Sequence, residues 1–277
     1  MGFWLKILSH LGGGKLGKIA WFTVKTTLKD RLFLLIASLV LVYFFVPVFS
    51  YFSMRQLQEI SITMSVTLNS FILLVLSVFG GVYTLWRDIE RKYTFILLSY
   101  PIKRTDYIIG RILGYSFLLF LITTVDFALG AVAIKISSSI YKSTLPILWL
   151  NIFCAYYFSL LKYILLLSFG FLYVTFSTSF FTPIFLTIFT YIGGNSIQGV
   201  YDYVIKSGSD VPHLIKAVIK VIYYIIPNFS SFDFIPYAAY SLKLSVQDLI
   251  ITFVYFLIYT SIVLLVASLI FNNKDLT

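Results

Sequence analysis

Charged residues, histidine and cysteine are all scarce in this chain. Of its 277 residues, 12% are charged and 60% are hydrophobic. A soluble domain is closer to a quarter charged, so this composition indicates a polytopic membrane protein. The single cysteine, Cys154, excludes a disulfide framework within the chain. The two histidines, His10 and His213, are too far apart in sequence to predict a zinc site, and we expect no bound metal.

The net charge of +10 does not by itself indicate a nucleic-acid partner. The basic residues gather at the ends of apolar segments and not on one soluble face. Membrane topology produces this distribution, because lysine and arginine flank membrane spans. We therefore expect membrane lipids, and no nucleic acid, among the partners of the chain.

Apolar stretches of about 20 residues, the length that crosses a bilayer, recur along the chain. Five of them are clear, at residues 32–49, 66–85, 108–134, 147–176 and 249–271. A sixth, 180–198, is interrupted by Pro183 near its start and by Gly193-Gly194 near its end. Residues 1–277 are therefore predicted to form one all-α membrane domain of six spans, with both termini on one side.

The distribution of lysine and arginine predicts which side that is. With six spans, the segment before the first span and the loop after the second, with its flanks, carry six basic residues each. The opposite face carries seven, but four of them lie in one long connection, where the positive-inside rule is weak. We therefore expect both termini and the loop 86–107 to be cytosolic.

Two amphipathic segments are predicted on the cytosolic side. In residues 15–30 four lysines fall within one arc of a helix, which is typical of an interfacial helix on anionic headgroups. An ordinary basic flank that enforces topology is the alternative. Residues 86–111 form a charged island with six basic and three acidic side chains and an apolar stripe of helical period. This pattern indicates a surface helix that is available to a cytosolic partner.

The long outer connection, 199–248, contains a further predicted helix. Pro212 is a typical helix start, and Pro227 ends the apolar run that follows it. Together with the glycine-interrupted segment before it, this helix predicts re-entrant structure over the outer end, before the last span. Non-helical backbone at that depth must be shielded by protein or by a water-filled cavity.

No catalytic site is predicted. Gly12, Gly17 and Lys18 have the spacing of a phosphate-binding loop, but Ile19 stands where that loop needs the hydroxyl that holds magnesium. A flexible linker is the better interpretation of this segment. No histidine lies in a span, so the chain lacks the groups for serine-type intramembrane proteolysis, and a single intraspan acid does not make an aspartyl pair.

Two ionisable residues do lie in predicted spans. Asp126 is in the third span and Lys162 is in the fourth. A charge in hydrocarbon is costly, so each should face protein, water or a partner charge. One interpretation is the polar lining of a translocation path, and the other is an ion pair within the membrane or a lysine that reaches the interface.

Three segments carry a resemblance to a known family. Residues 88–111 contain acidic-x-acidic, Thr94, the run LLSYPIKR and Gly110-Arg111; residues 227–233 read PNFSSFD; residues 271–276 read FNNKDL. In this order they resemble ABC-2-type permeases, which have the type V exporter fold, and among these the NosY-like branch. Tyr93 stands where the family has glycine, and Arg111 stands where it has lysine.

The resemblance implies a permease subunit that pairs with a second copy or a paralogue. A separate ABC ATPase subunit, which binds ATP and magnesium, would drive it. The residues that match the family's coupling helix, where the ATPase docks, are Asp88, Glu90, Arg91, Lys92, Tyr93 and Thr94. The outer re-entrant segments would form a gate at Gly193, Gly194, Pro227 and Asn228.

The expected function is therefore that of an exporter subunit in the plasma membrane of a bacterium or archaeon. It is not expected to be an enzyme by itself. A NosY-like subunit that transmits motion to an extracytoplasmic partner, without moving a cargo, is the main alternative. An intramembrane enzyme is disfavoured because the catalytic groups are missing.

Overall fold

The computed structural model describes residues 15–53, 56–91, 103–140, 143, 145–206 and 212–273. Within these ranges the regular structure is helical and contains no β-strand. In chain order the helices are α1 Lys15–Thr27, α2 Arg31–Ala37, α3 Val46–Tyr51, α4 Leu57–Glu90, α5 Arg104–Ile140, α6 Trp149–Phe176, α7 Phe181–Tyr201, α8 His213–Ile225, α9 Ile235–Ala239 and α10 Val246–Asn273. The predicted all-α class is confirmed for this part of the chain.

Four of the described helices are long and apolar enough to cross a membrane. They are α4, α5, α6 and α10, and they correspond to the predicted spans 66–85, 108–134, 147–176 and 249–271. The pair Leu214–Ile225 and Phe229–Ala239 passes the same test as one unit, although it is bent by 48°. A broken span and a re-entrant loop both fit this pair. The described chain is thus a membrane-embedded bundle with four to five candidate spans.

The remaining predicted spans, 32–49 and 180–198, are helical but fall outside that group. The first is divided into α2, a 3-10 helix at Ser38–Phe45 and α3. The second is α7, and the expected interruptions do not break it. Pro183 lies in its first turn, where the missing N–H is tolerated, and the helix continues through Gly193-Gly194.

The antiparallel helices α4 and α5 form the axis of the bundle. Near one end the hydroxyl of Ser137 donates to that of Ser61 over 3.1 Å. Near the other, Arg111 forms an ion pair with Asp88. We call the Asp88–Arg111 end the charged end and the Ser61–Ser137 end the opposite end. Contacts near both ends of two long helices can form together in only one register. The two contacts therefore fix the register of α4 against α5.

A wide turn interrupts the α-helical geometry of α4. Residues Leu76–Val82 are π-helical, and the segment contains Gly80 and Gly81. The Thr84 hydroxyl donates to the Gly80 carbonyl over 2.5 Å, so this carbonyl of the wide turn has a side-chain partner. A Cβ on Gly81 would collide with Leu167 of α6, so glycine allows the two helices to approach closely here. Such turns are often found at functional positions.

Helix α6 is the centre of the packing, and α10 lies at its periphery. Of the most apolar window of α6, 61% of the residues are buried, against 17% for α10. The side chains of Leu165, Leu166, Leu167 and Phe171 are completely buried. The outward side of α10 is apolar, as expected of a surface that faces lipid or another apolar surface.

Helix α1 covers most of the segment 15–30, which was predicted to be an interfacial helix, and it packs against the charged end of α5. Its Ile19 and Thr23 contact α5 at Gly110 and Gly114, where small residues let the backbones approach. Trp21 is exposed on another face of α1. The Lys25 ammonium lies 5.5 Å from the Trp21 ring centre. Residues Lys15–Thr27 are helical, and the position of this helix at the membrane interface stays a prediction.

We expect Gly114→Ala to destabilise the protein. A Cβ at this position would lie 2.6 Å from the Thr23 Cβ and 2.7 Å from the Ala20 carbonyl oxygen. Overpacking of this kind costs about 1–3 kcal/mol, so the thermal unfolding midpoint of the purified protein should fall by several degrees. Gly17→Ala on α1 is the control, because within the described residues no atom beyond its chain neighbours and its own helix backbone lies within 4 Å of its Cβ position. An equal loss in both variants would contradict this account.

Candidate functional site

Two ion pairs hold the charged end of α4 in place. The Arg87 guanidinium lies 2.6 Å from the Asp30 carboxylate, in the connection between α1 and α2. The next residue, Asp88, pairs with Arg111 of α5. Adjacent residues of one helix point about 100° apart, so the two pairs fasten α4 in two different directions. The end of α4 is therefore joined to both the N-terminal segment and α5.

The Asp88–Arg111 pair lies largely inside the protein. The Arg111 side chain is only 3% exposed, and that of Asp88 is 20% exposed. The guanidinium carbon of Arg111 lies 6.0 Å from the Tyr107 ring centre and 5.5 Å from that of Tyr115. Each charge is thus largely removed from water, and each depends on the other for compensation.

The predicted docking residues divide into two groups in the structure. Asp88 is directed to Arg111 and is largely covered, whereas Glu90 and Arg91 are exposed at the end of α4. Lys92, Tyr93 and Thr94 lie outside the described residues. The exposed pair provides a surface for a partner, while Asp88 holds the helix that carries this surface. The docking role itself stays a prediction.

The end of α10 meets the start of α5 at the charged end. The guanidinium of Arg104 donates to the carbonyl oxygens of Phe271, over 3.3 Å, and Asn272, over 3.2 Å. These carbonyls lie in the last turn of a helix and have no acceptor role within it. The rings of Tyr107 and Phe271 stack with centres 6.3 Å apart. Two of the motif segments, 88–111 and 271–276, are therefore in contact.

The structure brings the four predicted gate residues together at the junction of α7 with the segment before α9. A Cβ on Gly194 would lie 2.5 Å from the Pro227 carbonyl oxygen and would also collide with Phe229. Gly193 is less confined, because the nearest atom to its Cβ position is Cδ1 of Ile226 at 3.8 Å. Gly194 thus provides the close approach, and Gly193 lies beside it.

Asn228 connects three elements at this junction. Its side-chain oxygen accepts from the Ser230 N–H over 3.1 Å and caps the 3-10 helix Phe229–Phe232. Its side-chain nitrogen donates to Gln198 of α7 over 2.6 Å. Its backbone N–H donates to the Tyr255 hydroxyl of α10 over 2.8 Å. One asparagine therefore ties the PNFSSFD segment to α7 and to α10.

Lys162 belongs to the same junction. Its ammonium donates to Oδ1 of Asn195 over 2.6 Å and lies 5.3 Å from the Tyr191 ring centre. The carboxylate of Asp233 is near enough to act on this charge. The Ser230 hydroxyl donates to the Asn195 carbonyl over 2.7 Å, which links Lys162 to the PNFSSFD segment.

Asp126 lies elsewhere, on α5. Its side chain is completely buried, and neither carboxylate oxygen has a hydrogen-bond partner among the described residues. The structure does not bring Asp126 and Lys162 together, since Lys162 is bonded to α7. The two residues are therefore not an ion pair in this conformation, and they belong to two separate polar regions.

Some residues of these regions were not anticipated from the sequence. They are Asp30, Asn195 and Gln198, which help to hold the ends of the bundle together; Arg111 was named in the motif, but not as the partner of Asp88. Asn195 and Gln198 are three positions apart in an otherwise apolar segment, and this spacing on one helix face was an available signal. The partners of Asp88 and Arg87 had no local signal, because they are distant in sequence.

No family model matches this chain, and no curated protein matches it. The ABC-2 assignment therefore stays a prediction that rests on the three motif segments. The contacts that those segments make in the structure do not depend on whether the chain belongs to that family.

We expect Gly194→Ala to disrupt the junction, because its added Cβ would meet the Pro227 carbonyl oxygen at 2.5 Å. Backbone atoms cannot yield as a flexible side chain does, so unfolding should be easier by about 1–3 kcal/mol. The measurement is thermal unfolding in detergent. Gly193→Ala is a matched control on the same helix and should change the midpoint little. A larger effect at Gly193 would show that the packing at this junction is different.

We also expect strong coupling between Asp88 and Arg111 in a double-mutant cycle. Asp88→Asn and Arg111→Met each leave one charge without its partner, which typically costs about 3–5 kcal/mol when the pair is buried. The double variant removes both charges and should lose less stability than the sum of the two single losses. Chemical unfolding checks this. Additive losses would mean that the pair contributes no coupling, and Glu90→Gln serves as an exposed control.

Proposed function

We propose that this chain is the membrane subunit of an ATP-driven ABC exporter whose ATPase is a separate chain. The ATPase docks at the charged end, on the surface that includes Glu90 and Arg91. The observation that carries the proposal is the combination of an exposed charged surface with a fixed helix end. Glu90 and Arg91 are exposed. Arg87 and Asp88, just before them on α4, form ion pairs with Asp30 and Arg111.

Such an arrangement suits the transmission of motion. A flexible loop absorbs a displacement, whereas a helix that continues into the membrane carries it. Helix α4 extends from Glu90 to Leu57, a length of about 50 Å at 1.5 Å per residue. A push at the charged end therefore acts along a span, and the Asp88–Arg111 pair passes it to α5.

In this proposal the chain has six spans and cytosolic termini. The two additional spans are α7 and the short helices between Arg31 and Tyr51. The junction of α7 with the PNFSSFD segment is the outer gate. Lys162 and the exposed Asp233 line the path beside it, where two subunits of the dimer face each other. The membrane is the plasma membrane of a bacterium or archaeon.

The mechanism follows from these positions. Closure of the ATPase on ATP turns the docked ends of α4, and the bundle transmits the turn to its outer end. There the gate must separate Gly194 from Pro227 and break the hydrogen bonds of Asn228. Each such bond contributes about 0.5–1.5 kcal/mol, so opening the junction has a cost that ATP binding must supply.

A NosY-like transmitter of motion is the second candidate. The observation that favours it is the closed packing of the outer junction, where Phe229 and Phe232 are completely buried. An outer partner, and not a cargo, would then receive the motion. A water-filled space between two copies of the chain favours the exporter, and a dry interface favours the transmitter.

We expect the double variant Glu90→Ala and Arg91→Ala to lose the ATPase. Both side chains are exposed, so the fold should be retained while the contact surface changes. Co-purification with the proposed partner ATPase should fall about tenfold or more, and stimulated ATP turnover should fall with it.

The control for this experiment changes two charges at the opposite end. Lys243→Ala with Asp248→Ala also removes one exposed positive and one exposed negative charge and should leave ATPase capture unchanged. Normal capture and normal ATP turnover by the Glu90, Arg91 variant would overturn the docking role. Loss of capture in both variants would point to a general defect and would also count against it.

A further inference from the structure

Several polar side chains lie around Asp126, deep inside the bundle, where apolar residues are usual. Asp126 lies in α5, about 14 residues before the end of that helix, which is about 20 Å along its axis. Asn69 and Ser65 of α4 are completely buried, and so is Tyr156 of α6. Polar groups at such a position are usually paired within the protein.

The register of α4 against α5 brings these residues to one level. Gly130 of α5 faces Ser65 of α4, because the Cβ position of Gly130 lies 3.4 Å from the Ser65 Cβ. The helices are antiparallel, so one turn towards the charged end leads from Ser65 to Asn69 and from Gly130 to Asp126. Asn69 therefore lies opposite Asp126.

Two tyrosine hydroxyls complete the region. The Tyr156 hydroxyl lies against Gly130, where any Cβ would collide with it. Tyr43, from the 3-10 helix, donates its hydroxyl to the Ser65 carbonyl over 2.8 Å. Both rings are within electrostatic range of the Asp126 carboxylate. The missing side chain at Gly130 thus makes room for a polar group one turn from the carboxylate.

Four of these polar atoms have no partner within the described residues. They are both carboxylate oxygens of Asp126 and the side-chain oxygen and nitrogen of Asn69. The Tyr156 hydroxyl is close to the hydroxyls of Ser65 and Tyr43. Native proteins leave few buried polar atoms unpaired, and an unpaired carboxylate is the most costly of them. Such a group of atoms in one place indicates a ligand that satisfies them together.

We propose that Asp126, Asn69, Ser65 and Tyr156 form a binding site for a monovalent alkali cation, with sodium as the probe. Hard cations take oxygen ligands, and these four residues supply a carboxylate, an amide oxygen and two hydroxyls. One carboxylate balances a single positive charge. No group of three or more His, Cys, Asp or Glu side chains occurs in the described residues, and a site with one carboxylate matches a monovalent ion better than a divalent one.

A proton on Asp126 is the competing occupant of this region. The protonated carboxyl donates one hydrogen bond and still accepts others, so its proton reaches one oxygen only. A cation contacts several of the oxygens at once. The Lys162 ammonium does not supply the charge, because it is bonded to Asn195 on α7.

The test measures thermal unfolding of the purified full-length chain in detergent by its tryptophan fluorescence. Sodium chloride replaces choline chloride at constant ionic strength, and the titration is repeated with potassium chloride. A ligand that binds only the folded state raises the midpoint with its concentration. We expect a rise of about 5 °C at a sodium concentration about a hundred times the dissociation constant.

Three variants locate the site. Asp126→Asn keeps the size of the side chain and should abolish the sodium response. Tyr156→Phe removes only a hydroxyl and should raise the sodium concentration at half-response about tenfold. Tyr163→Phe removes the hydroxyl of another buried tyrosine of α6 and should leave the response unchanged. The last two variants change volume little, so they test the site even if Asp126→Asn folds poorly.

Three outcomes would overturn the proposal. The first is a wild-type midpoint that sodium and potassium raise no more than choline does. The second is a sodium response that survives in Asp126→Asn. The third is a midpoint that depends on pH between 5.5 and 8 but not on alkali cations, since Asp126 then carries a proton and binds no metal ion. The experiment needs no ATPase, so its result is independent of the proposed function.

Discussion

The pairing of α4 with α5 is the constraint on which the rest of the structure depends. In hydrocarbon no water is available, so a polar side chain in a span must find its partner within the protein. Along this pair the partners are the serines of the opposite end, the hydroxyl of Thr84 with that of Tyr115, and Asp88 with Arg111. A shift of one residue would separate all of them at once. The pair therefore sets one register, against which α1 and α6 pack.

Much of the fold follows from local sequence. Apolar length alone identifies α4, α5, α6 and α10, because a stretch that can cross a membrane is a property of consecutive residues. Apolar length does not predict the structure of residues 32–49, where a 3-10 helix forms and Tyr43 contacts α4. The two glycines Gly193-Gly194 were expected to break α7, and they do not. A glycine in a helix is a site of close approach as often as a break, and only the neighbour at Pro227 distinguishes the two.

The candidate sites could be predicted only in part from local sequence. The four residues predicted as a gate lie close together in the structure, and their role as a gate stays a prediction. The sequence contained no signal that the side chain of Asp88 is covered by Arg111, because their positions meet only after two spans are paired. The polar face Ser61, Ser65 and Asn69 was a visible pattern, with a spacing of four residues, but its significance depends on Asp126 across the helix pair. Pairing between distant residues is the information that local patterns lack.

The wide turn of α4 determines how its two halves are oriented. The turn at Leu76–Val82 holds one more residue than an α-helical turn of the same rise. If this turn became ordinary helix with no residue removed, everything beyond it would rotate by about 100° relative to everything before it. Asp88 would then no longer face Arg111, although Asn69 would keep its place. The turn at Leu76–Val82 therefore sets the angle between the charged end of α4 and its buried polar face.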